Sequence, residues 1–316
     1  DWDTPDEPAN YGVMGWHEGD SAVYVYDRYD VWKLDPEVKI LIGNMTKTGR
    51  IFKDTYRYIR LNNDERFIKY NQSLHFRFQN QDSKDAGIRY GYFVDNQPLL
   101  FTIISGKYAI GAVLKAYNSG NIIYSKENYK ESPDIYLNDD VLEIQGFDSK
   151  MKRIDHEIKL SSINPQQKDY NWGTAELFKW KAYNGKEATG IVYKPENFDP
   201  KKKYPMIVYF YEKLSDGLHS YKEPAPIRSA VNVPFFVSRG YIIFMPDIEY
   251  KTGYPGKGAY DYIVSGARAL VKKGWVDSTN MALQGHSWGG YQAAQVATMT
   301  KLFKAVWAGA PVANMT

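Results

Sequence analysis

Gly285-His286-Ser287-Trp288-Gly289-Gly290 fits the G-x-S-x-G pattern of a nucleophile elbow, the sharp strand-to-helix turn that exposes a serine hydroxyl. With 25 glycines in 316 residues, the bare pattern arises by chance in roughly one such chain in ten, so its flanks decide its worth. Met281-Ala282-Leu283-Gln284 is a short, mainly apolar segment suited to a buried strand running into the turn. Tyr291-Gln292-Ala293-Ala294-Gln295-Val296-Ala297 has the alanine-rich composition of a helix packed closely on a sheet. The glycines leave room for a strained backbone and for tight approach of helix to strand. The other reading, an incidental serine in a glycine-rich turn, explains neither flank.

His286 adjoins Ser287 in sequence, yet adjacent residues at such a turn point in different directions, so it is expected to pack rather than to act as the base. His17, His75, His156 and His219 all precede the elbow, none in a recognisable base motif. From Trp288 to Thr316 there is no Asp, Glu or His, whereas in an α/β-hydrolase the acid and the base follow the serine. The chain is therefore expected to hold a nucleophile and to stop before the triad Asp and His.

Upstream, the chain has two textures. Residues 1 to about 165 are rich in Tyr, Asp, Asn and Lys. Short β-prone runs recur there: Ala22 to Tyr26, Val31 to Leu34, Ile51-Phe52, Leu99 to Ile104 and Asn121 to Tyr124. Polar turn signals such as Asn62-Asn63-Asp64, Asn118 to Asn121 and Asn138-Asp139-Asp140 separate them. Regular short strands with little helix imply an all-β sandwich, barrel or propeller. From about Ala175 compact apolar strands appear at Ile191 to Tyr193, Met206 to Tyr211, Tyr241 to Asp247 and Lys304 to Pro311. A helical pattern spans Gly258 to Gly274. Alternating apolar strands and helices predict a parallel sheet covered on both faces. A sheet ending just after Pro311-Val312 would leave an apolar edge uncovered, which favours truncation over a lost triad.

Composition bounds the function classes. A 43% hydrophobic content over 316 residues supplies sizeable cores, with two domains as the prior. A net charge of +3, with scattered lysines apart from Lys201-Lys202-Lys203, makes no case for nucleic acid. Zero cysteines exclude disulfides, thiolate metal sites and a cysteine nucleophile. No apolar run reaches the roughly 18 residues of a membrane span. The chain begins at Asp1 without an initiator methionine or signal peptide, as expected of the interior of a longer or processed polypeptide.

Residues Ala175 to Thr316 resemble the prolyl oligopeptidase family of serine peptidases, the group that includes dipeptidyl and acylaminoacyl peptidases. The stretches that carry the resemblance are Gly190-Ile191-Val192-Tyr193-Lys194-Pro195-Glu196, Lys203 to Val208, Arg239-Gly240-Tyr241, Gly274-Trp275-Val276-Asp277, Gly285 to Tyr291, and Ala308 to Val312. The resemblance implies a β + α/β fold: C-terminal blades of a β-propeller over 1–170, then the first half of an α/β-hydrolase domain over 171–316. It implies Ser287 as nucleophile, with the Trp288 backbone N–H and the Tyr211 hydroxyl as oxyanion donors. With 27 tyrosines, and Tyr209 two residues away, ordinary packing is the other reading of Tyr211. Glu212-Lys213-Leu214-Ser215-Asp216-Gly217 stands where the family has a glycine-rich loop. Asp247 is expected to bond loop backbone, and Asp261 to sit at a helix start.

The expected activity is hydrolysis of short peptides through an acyl-enzyme on Ser287 in the complete enzyme, with no cofactor or metal. The chain alone is expected to be inactive. An esterase on the same fold, or a non-catalytic binding module, stays open as the alternative. Expected partners are a short peptide substrate and the remaining C-terminal part of the hydrolase domain, with no membrane span; a homo-oligomer stays open. An extracytoplasmic, periplasmic location is the expectation for compartment.

Overall fold

The computed structural model describes residues 9–70, 72–94, 97–139 and 157–313. His156 and Asp140 lie outside the described residues. The chain divides into two compact units, Ala9–Pro165 and a second that begins at Gln166, where the sequence put its boundary at 170.

Among the described residues, the first unit contains three four-stranded antiparallel sheets, each following the chain in simple up-and-down order. The first holds β1 (Val13–Trp16), β2 (Val23–Tyr26), β3 (Val31–Asp35) and β4 (Ile40–Asn44). After helix α1 (Gly49–Phe52), the second holds β5 (Asp54–Tyr58), β6 (Leu74–Asn80), β7 (Ala86–Val94) and β8 (Gln97–Gly106). The third holds β9 (Ala109–Lys115), β10 (Ile122–Asn128), β11 (Glu131–Asn138) and β12 (Glu157–Lys159). These are propeller blades. Their strands are β-branched and aromatic, residues that fit a pleated half-buried surface.

Asp and Asn side chains close the hairpins. Asp27 Oδ1 accepts from the backbone N–H of Tyr29 at 2.7 Å, and Asp35 Oδ1 from Glu37 at 2.9 Å. Asn80 Oδ1 accepts from Asp82 at 3.0 Å, and Asn128 Oδ1 from Lys130 at 2.8 Å. Each is an Asx turn, the reason for the Asp- and Asn-rich texture. Between blades the buried core is apolar. Met14, Tyr24 and Val31 of the first sheet pack with Tyr56, Phe76 and Phe78 of the second. Ile88 and Ile104 of the second pack with Ile110, Ile122 and Tyr124 of the third.

Ile51-Phe52 corrects the sequence reading: it is helical, in α1, and both side chains are exposed. Asp30, fully buried, accepts from the N–H groups of Gly49 and Arg50 and from the Thr46 hydroxyl. A carboxylate that captures the first free N–H groups of a turn favours helix over strand whatever the local β-propensity.

The second unit is built on a six-stranded sheet of β13 (Thr174–Lys181), β14 (Glu187–Lys194), β15 (Tyr204–Phe210), β16 (Ile242–Pro246), β17 (Val276–His286) and β18 (Ala305–Gly309). Their spatial order is β13-β14-β16-β15-β17-β18. The sheet is mixed rather than parallel: β13 and β14 run antiparallel, and parallel pairing begins between β16 and β15. The sequence reading missed β13, although Asn184-Gly185, in the tight turn that joins it to β14, is a strong hairpin signal. Helices α2 (Val233–Val237), α3 (Pro255–Lys272) and α4 (Trp288–Met299) connect the later strands. Val192, Val208, Phe210, Phe244 and Leu283 pack with Ile263, Ala267 and Leu270 of α3 and with Ala293 and Val296 of α4. The alternate residues Ile191, Tyr193, Ile243 and Met245 are buried as well, so the sheet has two covered faces.

The α3 helix begins at Pro255, three residues before the expected start, because proline suits the first helical position. Asp261 therefore lies in the second turn rather than at the start. It is 6% exposed and pairs with Lys257 one turn earlier.

Candidate active site

Strand β17 carries the chain up the sheet between β15 and β18, and α4 starts one residue after Ser287. Ser287 joins them with φ 55° and ψ −118°, a conformation that costs a non-glycine residue about 1–3 kcal/mol. Its backbone N–H donates to the Gly309 carbonyl at 2.9 Å, and its carbonyl accepts from the Tyr291 N–H at 3.1 Å. The flanking glycines are a matter of contact distance. A Cβ on Gly285 would lie 2.1 Å from the Gly289 carbonyl oxygen, and one on Gly290 would lie 2.5 Å from that of Gly309.

The Trp288 backbone N–H and the Tyr211 ring both lie at this turn. Trp288 is the first residue of α4, so its N–H has no acceptor within the helix and lies at the positive end of the helix dipole. Tyr211 follows β15, whose last residue Phe210 pairs with Gly285. That register brings Tyr211 beside the elbow: a Cβ on Gly289 would lie 3.7 Å from both its Cα and its Cδ2. Tyr211 is 39% exposed, a ring on the rim rather than in the core. Tyr209, inside β15, has its phenol pKa pushed up by burial.

The loop after Tyr211 is fastened to the end of β16. Asp247 Oδ1 accepts from the N–H groups of Leu214 at 2.8 Å and Ser215 at 2.9 Å, and Oδ2 accepts from the Ser215 hydroxyl. That matches the expected backbone-bonding role. Tyr250, which sequence reasoning passed over, stands between this loop and the elbow. Its hydroxyl is 3.0 Å from Trp288 Nε1 and 2.9 Å from Glu212 Oε1. The only sequence signal was a tyrosine shortly after a core strand.

The histidines divide as follows. His286 stacks on Trp307 of the neighbouring strand with ring centroids 6.4 Å apart. His17 is 3.2 Å from the Ser21 hydroxyl, and His75 stacks on Tyr90, both in the blade unit. His219 lies just beyond the 3-10 turn Ser215–Gly217. Among the described residues, no group of three or more His, Cys, Asp or Glu is placed to hold a metal ion. Nor is any described helix long and apolar enough to cross a membrane.

Residues 228–316, which include the elbow, match the prolyl oligopeptidase family. That segment is similar to the prolyl oligopeptidase family. A probable dipeptidyl-aminopeptidase B of Arthroderma benhamiae is 26% identical over 242 residues, covering 70% of this chain and 23% of that protein. The corresponding protein of Arthroderma gypseum is 25% identical over 219 residues, covering 62% and 20%. The chain thus spans under a quarter of the length of these curated relatives. Among solved structures, Porphyromonas gingivalis dipeptidyl peptidase 4 is similar with a TM-score of 0.63 at 17% identity, over 95% of this chain and 41% of that one. Pyrococcus horikoshii acylaminoacyl peptidase is similar with a TM-score of 0.58 at 17% identity, over 95% and 45%. At such identities the likeness shows the shared fold.

Proposed function

We propose that this chain carries the nucleophile and the oxyanion hole of a serine peptidase that hydrolyses short peptides. One observation carries the reading: Ser287 occupies a strained strand-to-helix turn with the Trp288 N–H and Tyr211 beside it. In the proposed reaction Ser287 Oγ attacks the scissile carbonyl, and its proton passes to a general base. The tetrahedral oxyanion accepts hydrogen bonds from the Trp288 N–H and the Tyr211 hydroxyl. Collapse expels the amine, which takes the proton back from the base, and water then hydrolyses the acyl ester by the same route. The base and its orienting carboxylate are a histidine and an aspartate from outside this sequence, so a polypeptide of these residues alone is inactive. The names of the dipeptidyl and acylaminoacyl peptidase relatives support short peptides as the substrate class.

The test is hydrolysis of short peptide amides by the full-length protein. Ser287→Ala should reduce turnover to background. Tyr211→Phe should lower kcat by about 10²-fold with KM little changed, the signature of a lost oxyanion donor. Peptide cleavage that survives Ser287→Ala would overturn the proposal, and cleavage of esters without amides would favour the esterase reading.

A further inference from the structure

We infer that Tyr250 is a positioning residue that fixes the spacing between the two oxyanion donors; the inference rests on the reading of Ser287, Tyr211 and Trp288 just given. The Tyr250 hydroxyl holds two bonds, at 3.0 Å to Trp288 Nε1 and 2.9 Å to Glu212 Oε1. Their direction is fixed by chemistry. An indole N–H can only donate and a carboxylate can only accept, so the hydroxyl accepts from Trp288 and gives its single proton to Glu212.

The residues so joined are the immediate neighbours of the reacting groups. Glu212 follows Tyr211, and Trp288 follows Ser287 and carries the other donor on its own backbone. Glu212 is held twice by the same segment, because its carbonyl also accepts from the Ile248 N–H at 3.0 Å. The Trp288 ring is flanked by Tyr250 and Tyr291 at centroid distances of 6.5 and 5.3 Å. Tyr250 itself is seated on a rigid element. A Cβ on Gly258 of α3 would lie 2.2 Å from the Tyr250 Cβ and 2.6 Å from the Glu249 carbonyl oxygen. That glycine lets the helix back directly onto the Tyr250 backbone. The chain of contacts therefore runs from α3 through one phenol to both sides of the oxyanion hole.

Removing the hydroxyl would release the Glu212 side chain and leave the Trp288 indole without its acceptor. The Tyr211 segment would then be free to drift relative to the elbow, and a drift well under 1 Å suffices to lower the rate of a preorganised site. Binding of the substrate ground state would be little affected, since these donors act on charge that develops later.

The experiment is steady-state hydrolysis of a short peptide amide by the full-length protein carrying Tyr250→Phe, alone and together with Tyr211→Phe. We expect Tyr250→Phe to lower kcat about tenfold with KM within about twofold. In the Tyr211→Phe background the same change should cost under about twofold, because Tyr250 acts through the group already lost. Glu212→Ala should reproduce the Tyr250→Phe loss and Glu212→Gln, which keeps an acceptor, should restore most of it. This pair decides the matter if Tyr250→Phe fails to fold. An unchanged kcat, or an equal loss in both backgrounds, overturns the inference. Absence of Ser287-dependent turnover in the unmutated protein overturns the underlying reading, and this inference with it.

Discussion

Ser287 pays a conformational cost that a purely structural turn would avoid, and the cost is measurable. Glycine adopts φ 55°, ψ −118° without a Cβ clash, whereas alanine keeps it. Ser287→Gly should therefore be more stable than Ser287→Ala by about 1 kcal/mol, the strain relief less the extra entropy glycine loses on folding. Urea unfolding of both variants measures the difference; equal stability would mean that the turn is unstrained. At this scale the sequence was partly legible. The glycines around Ser287 announced the turn because they answer contacts of 2.1 and 2.5 Å that no other residue permits. Tyr211 could be placed only by resemblance. Tyr250 was illegible because its role comes from three loops meeting in space, and one tyrosine among 27 carries no local mark of that.

Elements were legible where local chemistry and tertiary context agree. The apolar runs of β14, β15 and β16 are short and continuous, so burial on both faces could be read directly from them. The Ile51-Phe52 run failed because a buried carboxylate, Asp30, distant in sequence, captures its turn. The junction of the β13–β14 hairpin with the loop after β16 offers a test of how such element contacts hold. Glu249 accepts from Lys186 Nζ at 2.9 Å and from the Tyr262 hydroxyl at 3.2 Å. Burial pushes its carboxyl pKa up, but those bonds and the Lys186 charge hold it below its ordinary value of 4.5. With a folded pKa below the unfolded one, its contribution to stability is full above about pH 4.5 and is lost as pH falls through the depressed folded value. Lys186→Met should therefore shrink the loss of stability between about pH 6 and about pH 3.5, read from tryptophan-monitored urea unfolding. An identical pH dependence in the variant would show that the pair contributes nothing.

At the scale of the whole molecule, the described residues form three propeller blades and a hydrolase sheet whose elbow lies in the segment that matches the prolyl oligopeptidase family. The sequence alone left the blades undecided among sandwich, barrel and propeller, since Asx turns and β-branched strands serve all three. What separates them is long-range: each meander packs its apolar face on the next, as Phe76 and Phe78 do on Val31. The hydrolase half was more legible, because several spaced motifs around Gly190, Gly240, Gly274 and Gly285 occur in order along one sheet. The claim on which the rest depends is that Ser287 is an activated nucleophile. We would treat the full-length protein with a fluorophosphonate and map the adduct by peptide mass spectrometry. A single adduct on Ser287, lost in Ser287→Ala and absent from a polypeptide of these 316 residues alone, is the expected result. A full-length protein that stays unlabelled, or an adduct on another serine, would contradict it.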